Sequence, residues 1–524
     1  MVETTYETGY KKWLIAVTVI LCTLLELIDT SIVNVALTQL MGNLGATLSE
    51  VSWVIAAYGI ANVIIVPMAG WLSNQFGRKN YFAASVILFT VASVLCGNST
   101  NIWELVFFRF VQGIGGGALL ATSQTILFET FPPEQRGLSG ALYGMGVVIG
   151  PTLGPTLGGY IIDNASWPYI FYINLPIGII ATMLTLRFIK NPKFAAAKMS
   201  ASQVDWLGIV LLVVGIGSLQ LVLEQGEREE WFESPYITAF TMAAILGIIG
   251  FIWRELTAER PIVDLRVLKN PTLAIGTILS FVLGFGLYAS VFIIPVFTQS
   301  ILGFTSLQTG ALLIPGALCT GFMMPIVGKL IAKGVSQKYM IAVGFTLFFV
   351  FTFMTYKVLT PLTGEDDFYW PLIIRGLGLG LLFVPITTLS LSALKGKDIA
   401  QGAGITAMMR QLGGAFGVAI ISTYITQRAY THRSNLLSHL SVYDPTVQER
   451  LTMLTRSFMA KGSTLMQAQK QMYGALEGTI YKQTMILTYM DVFLMLGGFF
   501  LVCVPFVLLI KKGQTKINPA EAAH

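Results

Sequence analysis

The sequence predicts an all-helical integral membrane protein with fourteen transmembrane helices, and its composition is the first support for this fold class. The chain has 524 residues, of which 54% are hydrophobic and 11% are charged, and its mean hydropathy is +0.70. Soluble domains carry about 25% charged residues. Apolar runs of about 20 residues, the length that crosses a bilayer, recur along the whole chain.

These apolar runs define the predicted spans in order. The first run starts at Trp13 and lacks a small-residue cleavage site, so we interpret it as a span rather than a signal peptide. The fourteen segments lie near 13–37, 52–72, 81–97, 102–122, 138–162, 169–189, 206–223, 236–253, 272–296, 306–329, 338–356, 370–393, 402–424 and 485–510. An even number of spans places both chain ends on one side of the membrane.

The distribution of Lys and Arg predicts which side that is. Loops that follow even-numbered spans are basic, as at Arg78, Arg136 and Arg266, whereas the other short loops are acidic, as at Glu224 and Asp366. Basic loops stay in the cytoplasm, so both termini are predicted to be cytoplasmic. The net charge of +6 therefore reflects topology, and no nucleic-acid partner is expected.

Segment 425–484 departs from this pattern because it is long, polar and predicted to lie outside, yet carries seven Lys and Arg. Long loops escape the charge rule. Its stretch VQERLTMLTRSFMAKG has helical periodicity. The segment is expected to form a small, partly helical element outside the membrane, and a mobile flap is the alternative.

Two pairs of similar strings indicate an internal repeat. VPMAGWLSNQFGRKNYF (66–82) matches MPIVGKLIAKGVSQKYM (324–340), and QGIGGGALL (112–120) matches RGLGLGLLF (375–383), at offsets of 258 and 263 residues. Both pairs run in the same direction, so the halves are parallel, with two spans left between them. Parallel six-helix halves with a binding site at their interface characterise a large class of secondary transporters.

The repeat predicts a plan of six, two and six spans. The predicted units are a cytoplasmic N-terminus (1–12), an N-terminal half (13–189), a two-helix insert with its loops (190–271), a C-terminal half (272–510) and a cytoplasmic tail (511–524).

Two carboxylates, Glu26 and Asp29, stand in the middle of the first span, in LLELIDTSIVNVAL. A charge at mid-bilayer costs roughly 2.5–3.5 kcal/mol or more, so both must face the bundle or a water-filled cavity. A spacing of three places them on one helix face. Burial and mutual repulsion let such a pair hold a proton, which predicts a proton-coupling site. The alternatives are an ion pair with a buried Arg and, for Glu26, direct binding of a cationic substrate.

Arg109 in the fourth span is the predicted partner of Asp29. Asp29 lies about 24 Å along the first span and Arg109 about 10 Å along the fourth from the opposite side, which puts both in the outer half of a ~30 Å hydrocarbon layer. Gln112 lies three residues from Arg109 and is expected to join the network. A purely structural Arg109 is the alternative.

Other polar residues in the spans are weaker candidates. Arg375 and Arg410 are predicted to be structural or gating, with Asp491 as a candidate partner for Arg375. Asp205 is expected to cap the seventh span. Candidate substrate-lining residues are Asn34, Tyr58, Asn62, Gln124 and Tyr143.

The sequence indicates no catalytic or metal chemistry. None of the three His lies in an apolar segment, and the four Cys are far apart, so neither a metal site nor a disulfide is predicted. The chain has no G-x-x-x-x-G-K-[ST] motif, so ATP hydrolysis is not expected. We therefore predict that the protein is not an enzyme and has no cofactor.

Six strings, in order along the chain, carry a resemblance to a known family. They are LIDTSIVNVAL (27–37), GWLSNQFGRK (70–79), RFVQGIGGG (109–117), GMGVVIGPTLGPTLGG (144–159), WPYIFYINLPIG (167–178) and MRQLGGAFG (409–417). Together they resemble the major facilitator superfamily, in its fourteen-helix drug:proton antiporter branch, and most of all the EmrB-type exporters.

The resemblance implies a proton-coupled antiporter that exports hydrophobic or cationic drugs and toxic compounds by alternating access. It gives Arg109 the role of the proton-relay arginine. It makes the fifth span a pliable helix that seals the route, through Gly144, Gly150, Pro151, Gly154, Pro155, Gly158 and Gly159. Glycines allow close helix approach and prolines bend a helix. It also implies a cytoplasmic gate at Gly70, Asn74, Gly77, Arg78 and Lys79, where Asn74 replaces the acid usual in the family.

The resemblance further implies a multi-pass protein of the bacterial inner membrane, driven by the proton gradient. In EmrB-like systems a periplasmic adaptor and an outer-membrane channel complete the route, and segment 425–484 is a candidate docking element for the adaptor. Two alternatives stay open: an exporter of an endogenous lipid, siderophore or metabolite by the same mechanism, and a non-transporting membrane sensor.

Overall fold

The structure is a computed structural model that describes residues 9–191, 203–394, 396–441 and 443–509. The predicted cytoplasmic tail (511–524), most of the N-terminus (1–12) and part of the loop between the sixth and seventh spans lie outside the described residues. The described part contains fourteen helices that are long and apolar enough to cross a membrane, which confirms the predicted number of spans.

The N-terminal half supplies the first six spans. Its helices are α1 (Tyr10–Ile32), α2 (Leu37–Leu44), α3 (Leu48–Phe76), α4 (Arg78–Gly97), α5 (Ile102–Thr130), α6 (Arg136–Asn164), α7 (Tyr169–Tyr172) and α8 (Asn174–Phe188). The short α2 lies between the first and second spans, and α7 and α8 together form the sixth span.

The insert and the C-terminal half supply the remaining eight spans. Their helices are α9 (Trp206–Gln225), α10 (Pro235–Thr257), α11 (Pro271–Ser300), α12 (Ser306–Ala332), α13 (Gln337–Val358), α14 (Tyr369–Ser392), α15 (Lys397–Ser438), α16 (Pro445–Ala460) and α17 (Leu465–Leu509). The insert helices α9 and α10 pack on each other, and α9 packs on α3.

Polar caps explain why several helices extend beyond their apolar stretches. The hydroxyl of Thr47 accepts a hydrogen bond from the backbone N–H of Glu50, whose carboxylate accepts one from the Thr47 N–H. This capping box starts α3 at Leu48, four residues before the predicted span. Asp205 accepts a hydrogen bond from the Gly208 N–H at 3.1 Å, so its predicted role as the cap of α9 is confirmed.

The internal repeat appears in the packing of the two halves. A methyl group at Gly113 of α5 would lie 2.6 Å from the carbonyl oxygen of Tyr58 in α3. At the corresponding place in the other half, Gly376 of α14 leaves no room for a methyl group beside the carbonyl oxygen of Gly316 in α12. Glycines thus allow close contact between equivalent pairs of helices, α3 with α5 in one half and α12 with α14 in the other.

The two halves meet along α6 with α12 and along α3 with α15. Where α6 begins, a methyl group at Gly137 would lie 2.6 Å from the Gly328 carbonyl oxygen. A methyl group at Gly70 of α3 would lie 3.1 Å from the Ala400 carbonyl group of α15. Both contacts lie at the face of the bundle where α1 begins and α17 ends, which we call the chain-end face.

Segment 425–484 is mostly helical in its described part, where two short connections separate α15, α16 and α17. At about 1.5 Å per residue, the 42 residues of α15 are roughly twice as long as a ~30 Å hydrocarbon layer is thick. The C-terminal part of α15 and the N-terminal part of α17 therefore project from the face opposite the chain ends. Between them in the sequence, α16 packs against α17. We call residues 425–484 the hairpin.

Candidate functional site

Asp29 lies at the centre of a buried network inside the N-terminal half. Its Oδ2 accepts a hydrogen bond from an Arg109 guanidinium N–H at 2.5 Å, and the two side chains are 0% and 1% exposed. Its Oδ1 accepts from Gln112 Nε2 at 2.8 Å and from Asn174 Nδ2 at 2.7 Å. The structure therefore brings together Asp29, Arg109 and Gln112 as their depths predict.

Arg109 is fixed from several directions. It donates to Gln112 Oε1 at 2.7 Å and, through Nε, to the carbonyl oxygen of Val54 at 3.2 Å. Its guanidinium lies 4.2 Å from the centre of the Tyr58 ring. These contacts join Arg109 and Gln112 of α5 to α3 and, through Asp29, to α1.

Two members of this network are residues that sequence reasoning missed. Asn174 starts α8 and donates to both Asp29 and Ser93 Oγ, the latter at 3.3 Å. Ser93 also accepts from Gln112 Nε2 at 2.7 Å. The amide of Asn174 stands alone in the apolar string YINLPIG, which is a usable signal. Ser93 carries no comparable signal, because small hydroxyl side chains are common in spanning helices.

Glu26 has a different set of partners. Its Oε1 accepts hydrogen bonds from Tyr58 Oη at 3.2 Å and Asn62 Nδ2 at 3.0 Å, and its Oε2 is buried without a described partner. No hydrogen bond joins the carboxyl groups of Glu26 and Asp29. Tyr58 links their surroundings, because its hydroxyl reaches Glu26 while its ring lies under Arg109.

The Glu26 side opens toward the C-terminal half. Asn62 Oδ1 accepts a hydrogen bond from Gln411 Nε2 at 2.7 Å, which connects α3 to α15. The neighbouring Arg410 donates to Tyr143 Oη at 2.8 Å, which connects α15 to α6. Glu26 therefore lies at the interface of the two halves, whereas Asp29 lies within one of them. We call Glu26, Tyr58, Asn62, Tyr143, Arg410 and Gln411 the central cluster.

The remaining lining candidates are not in this cluster. Gln124 is buried in α5, and its Oε1 has no described partner. Asn34 is exposed in the 3-10 turn Val33–Val35 that ends the first span. The predicted lining set therefore divides into three residues of the central cluster, namely Tyr58, Asn62 and Tyr143, and two outside that cluster.

The predicted pairing of Arg375 with Asp491 is wrong. Arg375 is 4% exposed and donates through Nε to Ser290 Oγ at 3.0 Å. Asp491 instead accepts from both Arg428 and His432, the latter at 2.8 Å. The reason is that α15 continues past the predicted end of its span and carries these two residues alongside α17.

The glycines of α6 serve two different surfaces. Gly150, Gly154 and Gly158 are spaced four residues apart and face the first span. A methyl group at Gly150 would lie 2.6 Å from Leu27 Cβ, and methyl groups at Gly154 and Gly158 would meet residues near the end of α1. Gly144 and Gly159 face the C-terminal half, and a methyl group at Gly144 would lie 2.7 Å from Phe383 Cδ1. Helix α6 continues through Pro151 and Pro155 without a break.

The predicted gate residues lie at the chain-end face. Gly77 has a φ of +83° between α3 and α4, a backbone conformation that glycine adopts most readily. Arg78 forms a two-point ion pair with Glu129 of α5, so its charge is used within the N-terminal half. The Lys79 N–H donates to Asn191 Oδ1 at 2.9 Å.

The contacts that join the halves at this face are close backbone approaches at Gly70 and Gly137 and a hydrogen bond from Arg136 to the Ser392 carbonyl oxygen at 3.3 Å. Asn74 is half-buried one helical turn beyond Gly70. The described part of the chain shows no cluster of His, Cys, Asp or Glu that could hold a metal ion.

The fold and this buried acid–arginine network define a membrane transporter, and the chain belongs to the Major Facilitator Superfamily, whose model matches residues 19–418. The multidrug export protein EmrB of Escherichia coli is 32% identical and covers 96% of each chain. The fatty acid resistance protein FarB of Neisseria gonorrhoeae is 34% identical and covers 94% of each chain. The colistin resistance protein EmrB of Acinetobacter baumannii is 29% identical, covering 96% of this chain and 97% of its own length.

Solved structures agree on the fold. The proton:xylose symporter XylE aligns with a TM-score of 0.56 at 16% identity, covering 94% of this chain and 96% of its own. The human organic anion transporter MFSD10 aligns with a TM-score of 0.54 at 14% identity, covering 79% and 93%. The chain is therefore a multi-pass transport protein of the major facilitator fold, and it is not an enzyme.

Proposed function

We propose that the protein is a proton-coupled antiporter that exports hydrophobic compounds, cationic drugs among them, by alternating access. The observation that carries this proposal is the contact between Asp29 and Arg109, an ion pair fully buried within spanning helices. Charges inside spans are costly and mark ion and proton pathways. The drug-export names of the relatives support the substrate class.

The network suggests how a proton acts on the helices. A proton that binds Asp29 neutralises the carboxylate that accepts hydrogen bonds from Arg109, Gln112 and Asn174. These contacts then lose the part of their strength that comes from the negative charge. Because the partners lie on α5 and α8, protonation loosens the attachment of α1 to both helices.

Alternating access requires the two halves to separate at one face at a time. The central contacts between the halves are two hydrogen bonds, from Gln411 to Asn62 and from Arg410 to Tyr143. At the chain-end face the halves touch through close glycine contacts and through a hydrogen bond from Arg136 to the Ser392 carbonyl oxygen. The hydrogen bond between Gln411 and Asn62 is neutral and costs little to separate, whereas separating Arg410 from Tyr143 requires another partner for the buried guanidinium.

We further propose that the protein works in a bacterial inner membrane, with its chain ends in the cytoplasm and the hairpin in the periplasm. The hairpin exposes large side chains, including Tyr430, Tyr443, Met466 and Tyr473, which suit docking of a periplasmic adaptor protein connected to an outer-membrane channel. The name of FarB keeps an exporter of lipids or another endogenous compound as the second candidate function. A non-transporting sensor is the remaining alternative.

Transport in everted membrane vesicles tests the coupling. The vesicle lumen is made acidic, and a pH-sensitive dye reports proton release when ethidium is added. We expect release with the unaltered chain and a loss of about tenfold or more with Asp29→Asn, since a general acid–base group typically contributes 10²–10⁴-fold to a proton-transfer step. The matched control is Asp163→Asn, an exposed carboxylate near the end of α6. Equal release with Asp29→Asn would contradict coupling at this residue.

A further inference from the structure

The central cluster contains two opposite charges that do not pair with each other. Glu26 is 1% exposed and Arg410 is 3% exposed, and each interacts electrostatically with the other. They come from different halves, on α1 and α15. Among the described residues, no carboxylate lies within ion-pair distance of Arg410, whereas Arg109 has Asp29.

Arg410 has unused hydrogen-bonding capacity. A guanidinium carries five N–H donors in a planar fork that matches a carboxylate. The structure pairs one of them with a described acceptor, the hydroxyl of Tyr143 at 2.8 Å. Since that hydroxyl accepts from Arg410, its own hydrogen is available to donate to another group. Arg410 and Tyr143 together thus offer donors from both halves at their interface.

The position of Arg410 is set by its backbone. Gly284 of α11 leaves no room for a methyl group beside the Arg410 carbonyl group, so α15 lies directly on α11 at this residue. The guanidinium is 5.6 Å from the centre of the Tyr143 ring and 5.3 Å from that of Phe383. Aromatic side chains therefore flank the cation and offer apolar surface beside it.

We infer that the central cluster binds hydrophobic compounds with a compact anionic head group, such as a carboxylate, held by Arg410 and Tyr143. This inference rests on the proposed export function and names a substrate class for it. A carboxylate accepts from the guanidinium fork and from the Tyr143 hydroxyl. The apolar part of the compound lies against Phe383 and the neighbouring aromatic side chains. The ligand thereby supplies the negative charge that Arg410 lacks.

Glu26 then controls this binding by its charge. An ionised Glu26 repels an anion and competes for Arg410, whereas a protonated Glu26 does neither and can donate its hydrogen from Oε2. The groups that face Glu26 from the surrounding helices are Asp29, Tyr58, Tyr143, Tyr288 and Arg410. Binding of an anionic compound is therefore expected to strengthen as Glu26 takes up a proton.

This arrangement separates two tasks. A proton on Glu26 would leave the cell together with the exported anion, opposite to the inward direction of the proton gradient, so this pair cannot itself power export. Asp29, with its own partners, remains the group through which the gradient drives export. Cationic compounds would use ionised Glu26 and would be disfavoured by Arg410.

Binding to the purified protein in nanodiscs of zwitterionic lipid tests the inference. The probes are dansyl-labelled undecanoate, its uncharged primary amide and tetraphenylphosphonium, with binding to empty nanodiscs subtracted. We expect the unaltered protein to bind the carboxylate about tenfold or more tightly than the amide, the range of a hydrogen-bonded charge. Equal affinity for carboxylate and amide would overturn the inference.

Variants then locate the site. Arg410→Gln is expected to lose the preference for the carboxylate and to bind tetraphenylphosphonium at least as well as before. Arg410→Lys, which keeps the charge and guards against misfolding, should retain part of the preference. Tyr143→Phe should weaken carboxylate binding a few-fold. Arg254→Gln, which removes a distant arginine from α10, is the control and should keep the full preference. An unchanged preference in Arg410→Gln would overturn the inference.

The pH dependence supplies an independent readout. With the unaltered protein, carboxylate affinity should fall as pH rises and Glu26 loses its proton, and Glu26→Gln should remove that fall. A fall that persists in Glu26→Gln would remove Glu26 from the site. Nanodiscs hold no proton gradient, so Asp29→Asn should still prefer the carboxylate. A failure of proton coupling is thereby distinguished from a failure of anion binding.

Discussion

The two halves of the molecule place polar side chains at equivalent positions but use them differently. Gln112 donates to Asp29 at 2.8 Å in the N-terminal half, and Arg375 donates to Ser290 at 3.0 Å in the C-terminal half. Asp29 and Ser290 are 261 residues apart and Gln112 and Arg375 are 263 apart, close to the repeat offsets. The contact between the first and fourth helix of each half is thus retained.

The difference lies in the chemistry of that contact. The N-terminal half joins an acid to an arginine with amide partners around them, so it contains a group that can take up and release a proton. The C-terminal half has a hydroxyl and an arginine, neither of which titrates near neutral pH. The proposed proton site at Asp29 therefore has no carboxylate counterpart at the equivalent contact of the C-terminal half.

The largest expected effect separates the two arginines. Arg109→Leu leaves Asp29 buried without its cation, so we expect substrate-driven proton release to fall about 100-fold or more. Arg375→Leu removes no titrating partner and should retain a substrate-dependent proton signal, although at a lower yield of folded protein. The dye assay in everted vesicles measures both. A complete loss of the signal in well-folded Arg375→Leu would mean that both halves take part in coupling.

A smaller effect tests whether the halves share their packing. Gly113→Ala and Gly376→Ala each push a methyl group into a facing carbonyl oxygen, and each should lower the free energy of unfolding by about 1–3 kcal/mol. Gly498→Ala, with nothing within 4 Å of the added methyl group, is the matched control. Thermal unfolding in detergent compares the three variants. If only one of Gly113→Ala and Gly376→Ala is destabilising, the helices pack more tightly in the half that contains that glycine.

The smallest effect concerns the chain-end face. Asn74 lies one turn beyond Gly70, which contacts the first turns of α15 at Ala400. Asn74→Asp adds a negative charge toward this helix N-terminus, worth about 0.3–1 kcal/mol. We expect tighter closure of this face, seen as slower reaction of a cysteine introduced behind it, by about two- to fivefold. Faster reaction would indicate that the acid repels a neighbouring group instead.

Much of the site could be predicted from the sequence because the bilayer limits the possibilities. Asp29 and Arg109 are each expensive in a span, and their matching depths permit the pairing that the structure shows. Residues within one helix, such as Gln112 beside Arg109, follow from helical spacing. The glycines that face α1 likewise follow from their spacing of four residues.

Other contacts could not be predicted, because they depend on the relative rotation and length of helices far apart in the sequence. Arg375 and Asp491 match in depth, yet Asp491 meets Arg428 and His432 because α15 continues to Ser438. Asn174 is an isolated amide whose target becomes evident only when α8 packs beside α1. The depth of a residue in the membrane is one of its three coordinates. The other two depend on how the helices pack.

The fourteen spans, the parallel repeat and the costly charges within the spans could be predicted because hydrophobicity and helical spacing are local properties of a chain in a bilayer. Which charges pair became evident only from the packing of the helices. Asp29 pairs with Arg109 within one half, and Glu26 and Arg410 lie on opposite sides of the interface without pairing. Asp491 pairs with Arg428 and His432 of the hairpin. The physical reason is that burial sets the cost of a charge, whereas only the packing of helices decides which partner is near enough to offset it.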